Sequence, residues 1–179
     1  MDLAPQIVTE RLILRGHRAT DHDAAVALWS RPEIYQYITG EALGTQDVWM
    51  RLLRYSGLWD FLGYGYWAVE HRETGAYIGQ MGFADFKRGL VGFDGHYPEG
   101  GWMVHPDYAG RGLATEGMAA ACAWLDQQQR WDKSFCIIGP DNDASIAVAQ
   151  KLGYRYVLDT DFSGERTAVY FRQAPQPLS

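Results

Sequence analysis

The 179-residue chain has only two cysteines, Cys122 and Cys136, each inside an apolar stretch. Neither has a CxxC or His-rich neighbourhood, which speaks against a metal site. No window approaches the ~20 apolar residues of a membrane helix, and the opening MDLAPQIVTER lacks the apolar run of a signal peptide. A cytoplasmic protein without a membrane partner is the expectation, and two buried thiols suit a reducing compartment. Positive charge is scarce as well: 16 Lys and Arg against 22 Asp and Glu leave a net charge of −6. That balance argues against nucleic acid as the partner, because phosphate binding needs a basic face. Internal repeats, low-complexity tracts and linkers are also missing. The chain therefore reads as one domain over 1–179, with its core at about 9–172 and a frayed tail at 174–179.

What is present is an ordinary globular pattern, 47% apolar and 21% charged. Ile7 to Arg15 alternates as a first strand. Thr20-Asp21 caps a helix with Ala24, Ala25, Leu28 and Trp29 on its apolar stripe. Pro32 opens a short second helix through Tyr37, and Thr45 a third carrying Val48, Trp49, Leu52, Leu53 and Tyr55. Tyr64 to Glu70 and Tyr77 to Phe86 form a hairpin around Glu73-Thr74-Gly75. Glu99 to His105 is a strand closed by Pro106. Leu113 to Arg130 is a helix, Ser134 to Ile138 a buried parallel strand, and Asp143 to Leu152 a helix ended by Gly153. Tyr154 to Asp159 and Arg166 to Arg172 close the chain as a hairpin around Ser163-Gly164. The fold class is α/β in the α+β sense: a mixed, mostly antiparallel sheet of about seven strands, with a β-α-β-α unit and helices on both faces.

The chemistry is concentrated in the run from Glu99 to Gly117, which reads strand, tight loop, helix. Gly110 and Gly112 flank Arg111, and Ala114 follows. Small residues admit a ligand close to the backbone. The first amides of the next helix have no internal partner, and its dipole adds partial positive charge. Together they make an anion site suited to a diphosphate. Arg111 can add a charge-assisted bond and Thr115 a hydroxyl. The pattern is neither a Walker A loop nor G-x-G-x-x-G. A second element, Asn142-Asp-Ala-Ser145, begins the next helix. Asn142 is a good N-cap, and capping alone is a sufficient account of an isolated N-x-x-S.

The run VHPDYAGRGLATEG followed by PDNDASIAVAQKLGY resembles the GNAT N-acetyltransferase superfamily, in particular the branch of ribosomal-protein-alanine and spermidine acetyltransferases. TERLILR near the N-terminus is similar to the same branch, so the resemblance spans roughly Thr9 to Tyr170. It implies a single GNAT-like domain using acetyl-CoA as co-substrate and an amine as acceptor, either a small molecule or a protein N-terminus. Carried over residue by residue, it places the coenzyme's diphosphate on Gly110, Arg111, Gly112, Leu113, Ala114 and Thr115. The thioester arm then lies against Met103 and Val104 where two strands splay at Pro106, with Asn142 bonding the pantetheine and Ser145 near the departing sulfur. Two positions depart from the pattern. Ala109 replaces the usual Gln or Arg, and Ala149 stands where many relatives have a tyrosine that protonates the leaving thiolate.

The expected reaction is direct acetyl transfer. Glu99 is the first candidate for the base that deprotonates the amine, followed by His96 and His105. Ser145 stands in for the missing tyrosine. Trp29, Tyr35, Trp49, Trp59 and Trp67 read as core. The 86–97 loop should line the acceptor side. Tyr156, Val157, Phe162, Val169 and Tyr170 are a dimer edge or core, leaving a monomer or a homodimer. Two competing classes are a non-catalytic acetyl-CoA-binding domain, motivated by Ala149, and a plain nucleotide or phosphate binder.

Overall fold

The structure is a computed structural model and describes residues 4–90, 96–162 and 164–175. Positions 91–95 of the expected acceptor loop, Ser163 of the last turn and the tail 176–179 lie outside the described residues.

Eight strands make one sheet in the order β1-β2-β3-β4-β5-β6-β8-β7. They are β1 (Ile7–Val8), β2 (Leu12–Arg15), β3 (Tyr66–His71), β4 (Tyr77–Ala84), β5 (Glu99–Val104), β6 (Lys133–Ile138), β7 (Arg155–Phe162) and β8 (Glu165–Gln173). Every neighbouring pair is antiparallel except β5 and β6. The expected first strand is two strands, because Thr9 closes a tight turn around Glu10 and Arg11. Its N–H donates to the Leu12 carbonyl at 2.9 Å, and its hydroxyl accepts the Leu12 N–H at 3.0 Å.

The helices are α1 (His22–Trp29), α2 (Pro32–Tyr35), α3 (Thr45–Leu62), α4 (Leu113–Gln127) and α5 (Asp143–Lys151). Strand alternation assigns them to two faces. Met81 and Phe83 of β4, with Trp102 and Val104 of β5, pack with Met118 and Ala121 of α4. Met103, between Trp102 and Val104, instead joins Ala25, Leu28, Val48 and Leu52 of α1 and α3. Trp29, Trp59 and Trp67 are buried as expected, whereas Trp49 is 38% exposed, so that ring lies outside the core. On the last hairpin Val169 and Tyr170 are buried while Tyr156 and Val157 are exposed. No helix among the described residues is long and apolar enough to cross a membrane.

A buried ion network ties β2 to the start of α1. Arg15 donates to both Asp21 oxygens at 2.9 and 2.8 Å and to Glu70 at 2.8 Å. Burial works against the Asp21 carboxylate, but the Arg15 hydrogen bonds, the Arg18 N–H and the Arg15 charge outweigh it and hold the carboxyl below its ordinary range. A depressed folded value means that stability is contributed above the unfolded carboxylate pKa of about 4. That contribution is lost as pH falls through the lower folded value. Urea midpoints should therefore drop between pH 6 and pH 3. Asp21→Asn should flatten this slope while lowering the midpoint at pH 6, since it removes Arg15's charged partner.

Candidate functional site

The site is built where β5 and β6 part company. A single rung joins them, Glu99 opposite Phe135, with the Phe135 N–H donating to the Pro98 carbonyl at 3.0 Å. From Gly100 onward no residue of β5 is paired in register on that side among the described residues, while its other edge stays paired to β4 throughout. The fork thus opens beside Glu99, earlier than the expected point at Pro106. Main-chain bonds alternate along a strand. The Phe135-to-Pro98 bond and the His105 N–H donating to Ile78 at 2.6 Å fix the phase. Trp102 and Val104 turn their N–H and C=O groups into the fork, and Met103 turns its own toward β4. Met103 was expected to offer backbone groups to the thioester arm. The register turns them toward β4 instead, and the fork-facing groups on either side of Met103 are those of Trp102 and Val104.

Past β5 the chain makes one 3-10 turn, Pro106–Tyr108, and then a loop with Gly110 at φ 73° and Gly112 at φ 78°. Both values lie in the left-handed region, where a side chain is strained. Gly112 precedes α4, and the first main-chain bond into the helix runs from the Glu116 N–H to the Gly112 carbonyl, at 2.9 Å. The six amides from Gly110 to Thr115 donate to no group among the described residues. Leu113 is buried and anchors the helix start, so these N–H groups are held in place by the core.

A clamp that sequence reasoning did not find fixes this turn from the other side. Glu116, in the first turn of α4, accepts from the Thr9 hydroxyl at 2.6 Å, the Arg11 N–H at 2.8 Å and Arg11 Nε at 2.7 Å. Arg11 Nη1 also donates to the Arg111 carbonyl at 2.9 Å. Burial opposes the Glu116 charge, but the Thr9 and Arg11 bonds prevail and hold its pKa down. The Thr9-Glu10-Arg11 corner was the only signal in the sequence, and there it served only as a resemblance.

Across the fork, Asn142 caps α5 through its Oδ1, which accepts the Ser145 N–H at 3.1 Å. The capping account of N-x-x-S therefore holds, and it leaves the Asn142 amide NH2 and the Ser145 hydroxyl without partners among the described residues. Ala149 is fully buried in the core. At the closed end of the fork, Tyr154 and Ser134 share a hydroxyl–hydroxyl bond of 2.9 Å beside Gly100.

Glu99 is 5% exposed, and both its oxygens lie 2.9 Å from Arg88 Nε. Burial pushes its pKa up and the Arg88 contact opposes that, with a net rise. His105 uses Nδ1 to accept the Asp107 N–H at 3.2 Å, which makes it a turn-capping residue. His96 is exposed at the edge of the described residues.

The Acetyltransferase (GNAT) domain family matches residues 11–155, and the chain belongs to it. Acetyl transfer is this family's general activity. A solved GnaT-family acetyltransferase from Bordetella pertussis superposes with a TM-score of 0.83 at 29% identity, over 94% of this chain and 99% of that one. The Bacillus subtilis protein YkkB is 26% identical over 97% of this chain and 99% of its own length. RimL, a ribosomal L7/L12 alpha-N-protein acetyltransferase solved in complex with coenzyme A, shares the fold with a TM-score of 0.75, at 14% identity over 93% of this chain and 96% of its own.

Proposed function

We propose that the protein transfers an acetyl group from acetyl-CoA directly to a primary amine. One observation carries this: six successive N–H groups without acceptors among the described residues lie at the head of α4, next to a strand pair that opens after a single rung. The amides of Gly110, Arg111, Gly112, Leu113, Ala114 and Thr115 hold the diphosphate, helped by the α4 dipole. The pantetheine arm runs into the fork along the free edge of Trp102 and Val104, with the Asn142 amide as a further donor. The amine lone pair attacks the thioester carbon, the C–S bond breaks toward sulfur, and the amine proton passes through water to Glu99. The Trp102 N–H, the fork-facing donor nearer Glu99 than that of Val104, steadies the negative charge gained by the thioester oxygen. The buried, unpaired thiols of Cys122 and Cys136 suit a cytosolic setting.

Ser145 stands at the departing sulfur. A thiol's reference pKa is only about 8.5, so the thiolate leaves with modest help. Ser145→Ala should slow turnover by about tenfold or less, one ordinary hydrogen bond's worth, with the KM for acetyl-CoA nearly unchanged. An unaltered kcat would remove the hydroxyl from the mechanism. The proposal as a whole is tested by thiol release from acetyl-CoA across amine classes. A non-catalytic acetyl-CoA binder is the second reading, favoured by Ala149, which has no proton to give, and by the Arg88 contact on Glu99. Tight coenzyme binding without thiol release from any amine would select it.

A further inference from the structure

Arg88 is held by more than Glu99. Its guanidinium carbon sits 4.6 Å from the Phe86 ring centre and 4.5 Å from that of Phe162, so two phenyl rings and a buried carboxylate set its position. Only Nε faces Glu99; Nη1 and Nη2 donate to nothing among the described residues. A second guanidinium, that of Arg54 on α3, lies 5.1 Å from the same Phe86 ring and has no carboxylate partner among the described residues. Asp85 nearby is already paired with Lys87 at 2.5 Å. Two guanidiniums, the held one of Arg88 and the exposed one of Arg54, against one carboxylate leave a local excess of positive charge among the described residues of a chain whose net charge is −6. This excess lies at Glu99, the closed end of the fork.

We propose that Arg88, supported by Arg54, binds a carboxylate on the acceptor, so that the acceptor class is an amine carrying a carboxylate close by, as in α-amino acids. This rests on the acetyl-transfer reading and deepens it. A planar guanidinium with both Nη groups free matches a carboxylate in a bidentate fork. In an α-amino acid the amine and the carboxylate share one carbon. Seating the carboxylate on the Nη edge therefore brings the amine to the neighbouring Glu99 oxygens. A linear diamine would instead meet the excess positive charge and be disfavoured.

The test compares amino acids with their carboxamides and with linear diamines as acceptors, by thiol release from acetyl-CoA. Acids should exceed their amides in kcat/KM by about 10- to 100-fold, the worth of a charge-assisted pair. Arg88→Ala should collapse that ratio, mostly through KM for the acids, and Arg88→Lys should restore part of it. The ratio is the readout because any effect of Arg88 on Glu99 acts on acids and amides alike. Amides or diamines used as well as acids, acids not acetylated at all, or a ratio unchanged in Arg88→Ala would each overturn the inference. Failure of the wild-type protein to bind coenzyme A would overturn the acetyl-transfer reading, and this inference with it. Acetylation indifferent to the carboxylate would overturn this inference alone.

Discussion

Ala114→Asp should weaken coenzyme A binding by about 100-fold or more while leaving the protein as stable as before. Ala114 is the second residue of α4, half-buried, at a position where an acidic side chain complements the helix dipole. The substitution is therefore neutral or mildly favourable for folding. The same carboxylate would stand beside the proposed diphosphate. Two like charges ~4 Å apart repel by about 4 kcal/mol at the effective dielectric of a protein surface, and every 1.4 kcal/mol is about tenfold in affinity. Calorimetric titration with coenzyme A reads the affinity, and thermal unfolding reads the fold. Ala114→Ser is the control and should bind nearly as the parent does. Equal affinity in Ala114→Asp would mean that the helix start does not meet the diphosphate.

The second large effect is expected at Gly79, on β4 opposite Val104. A Cβ at Gly79 would overlap the Met103 carbonyl oxygen and lie 3.1 Å from the Val104 Cα, so the obstacle is backbone. Rotamer changes cannot relieve it, and β5 itself has to move. Gly79→Ala should cost about 4 kcal/mol, the upper end for a single substitution. At about 2–4 °C per kcal/mol for a chain of this size, the melting temperature should fall by roughly 10 °C. Coenzyme binding should suffer beyond the stability loss, because the displaced segment is the free edge of the fork. Gly101 gives the contrast. A Cβ there would meet the Tyr66 hydroxyl, the end of a side chain, so Gly101→Ala should be rescued by Tyr66→Phe. No side-chain substitution should rescue Gly79→Ala.

These two positions also show what could be read from residue order alone. The loop at Gly110 and Gly112 was legible because it is local. Small residues, an apolar helix stripe and a capping asparagine announce a strand, a turn and two helix starts without knowledge of the rest of the chain. Secondary elements with strong periodicity, such as β6 and α4, were legible for the same reason. The opening at Gly100 was not, since it depends on where Glu99 meets Phe135, a pairing set by tertiary packing. The direction of the Met103 amide was hidden on the same ground: which residue turns its amide outward is decided by register, and composition carries no register. The split of the first strand was hidden because Thr9 makes the turn with its hydroxyl, without the glycine or proline that marks most turns. The Glu116 clamp and the Arg88 contact join segments distant in sequence or lie in a loop without periodicity, so no pattern pointed to them.

The diphosphate grip is tested most directly by two-dimensional amide NMR of the uniformly labelled protein titrated with coenzyme A. If the N–H groups of Gly110 to Thr115 donate hydrogen bonds to the ligand's phosphates, their proton resonances should move downfield together and saturate with a single dissociation constant. The amides of Trp102 and Val104 should follow the same curve. Saturable coenzyme binding that left those six resonances in place would contradict the account, as would a spectrum that did not respond to coenzyme A at all.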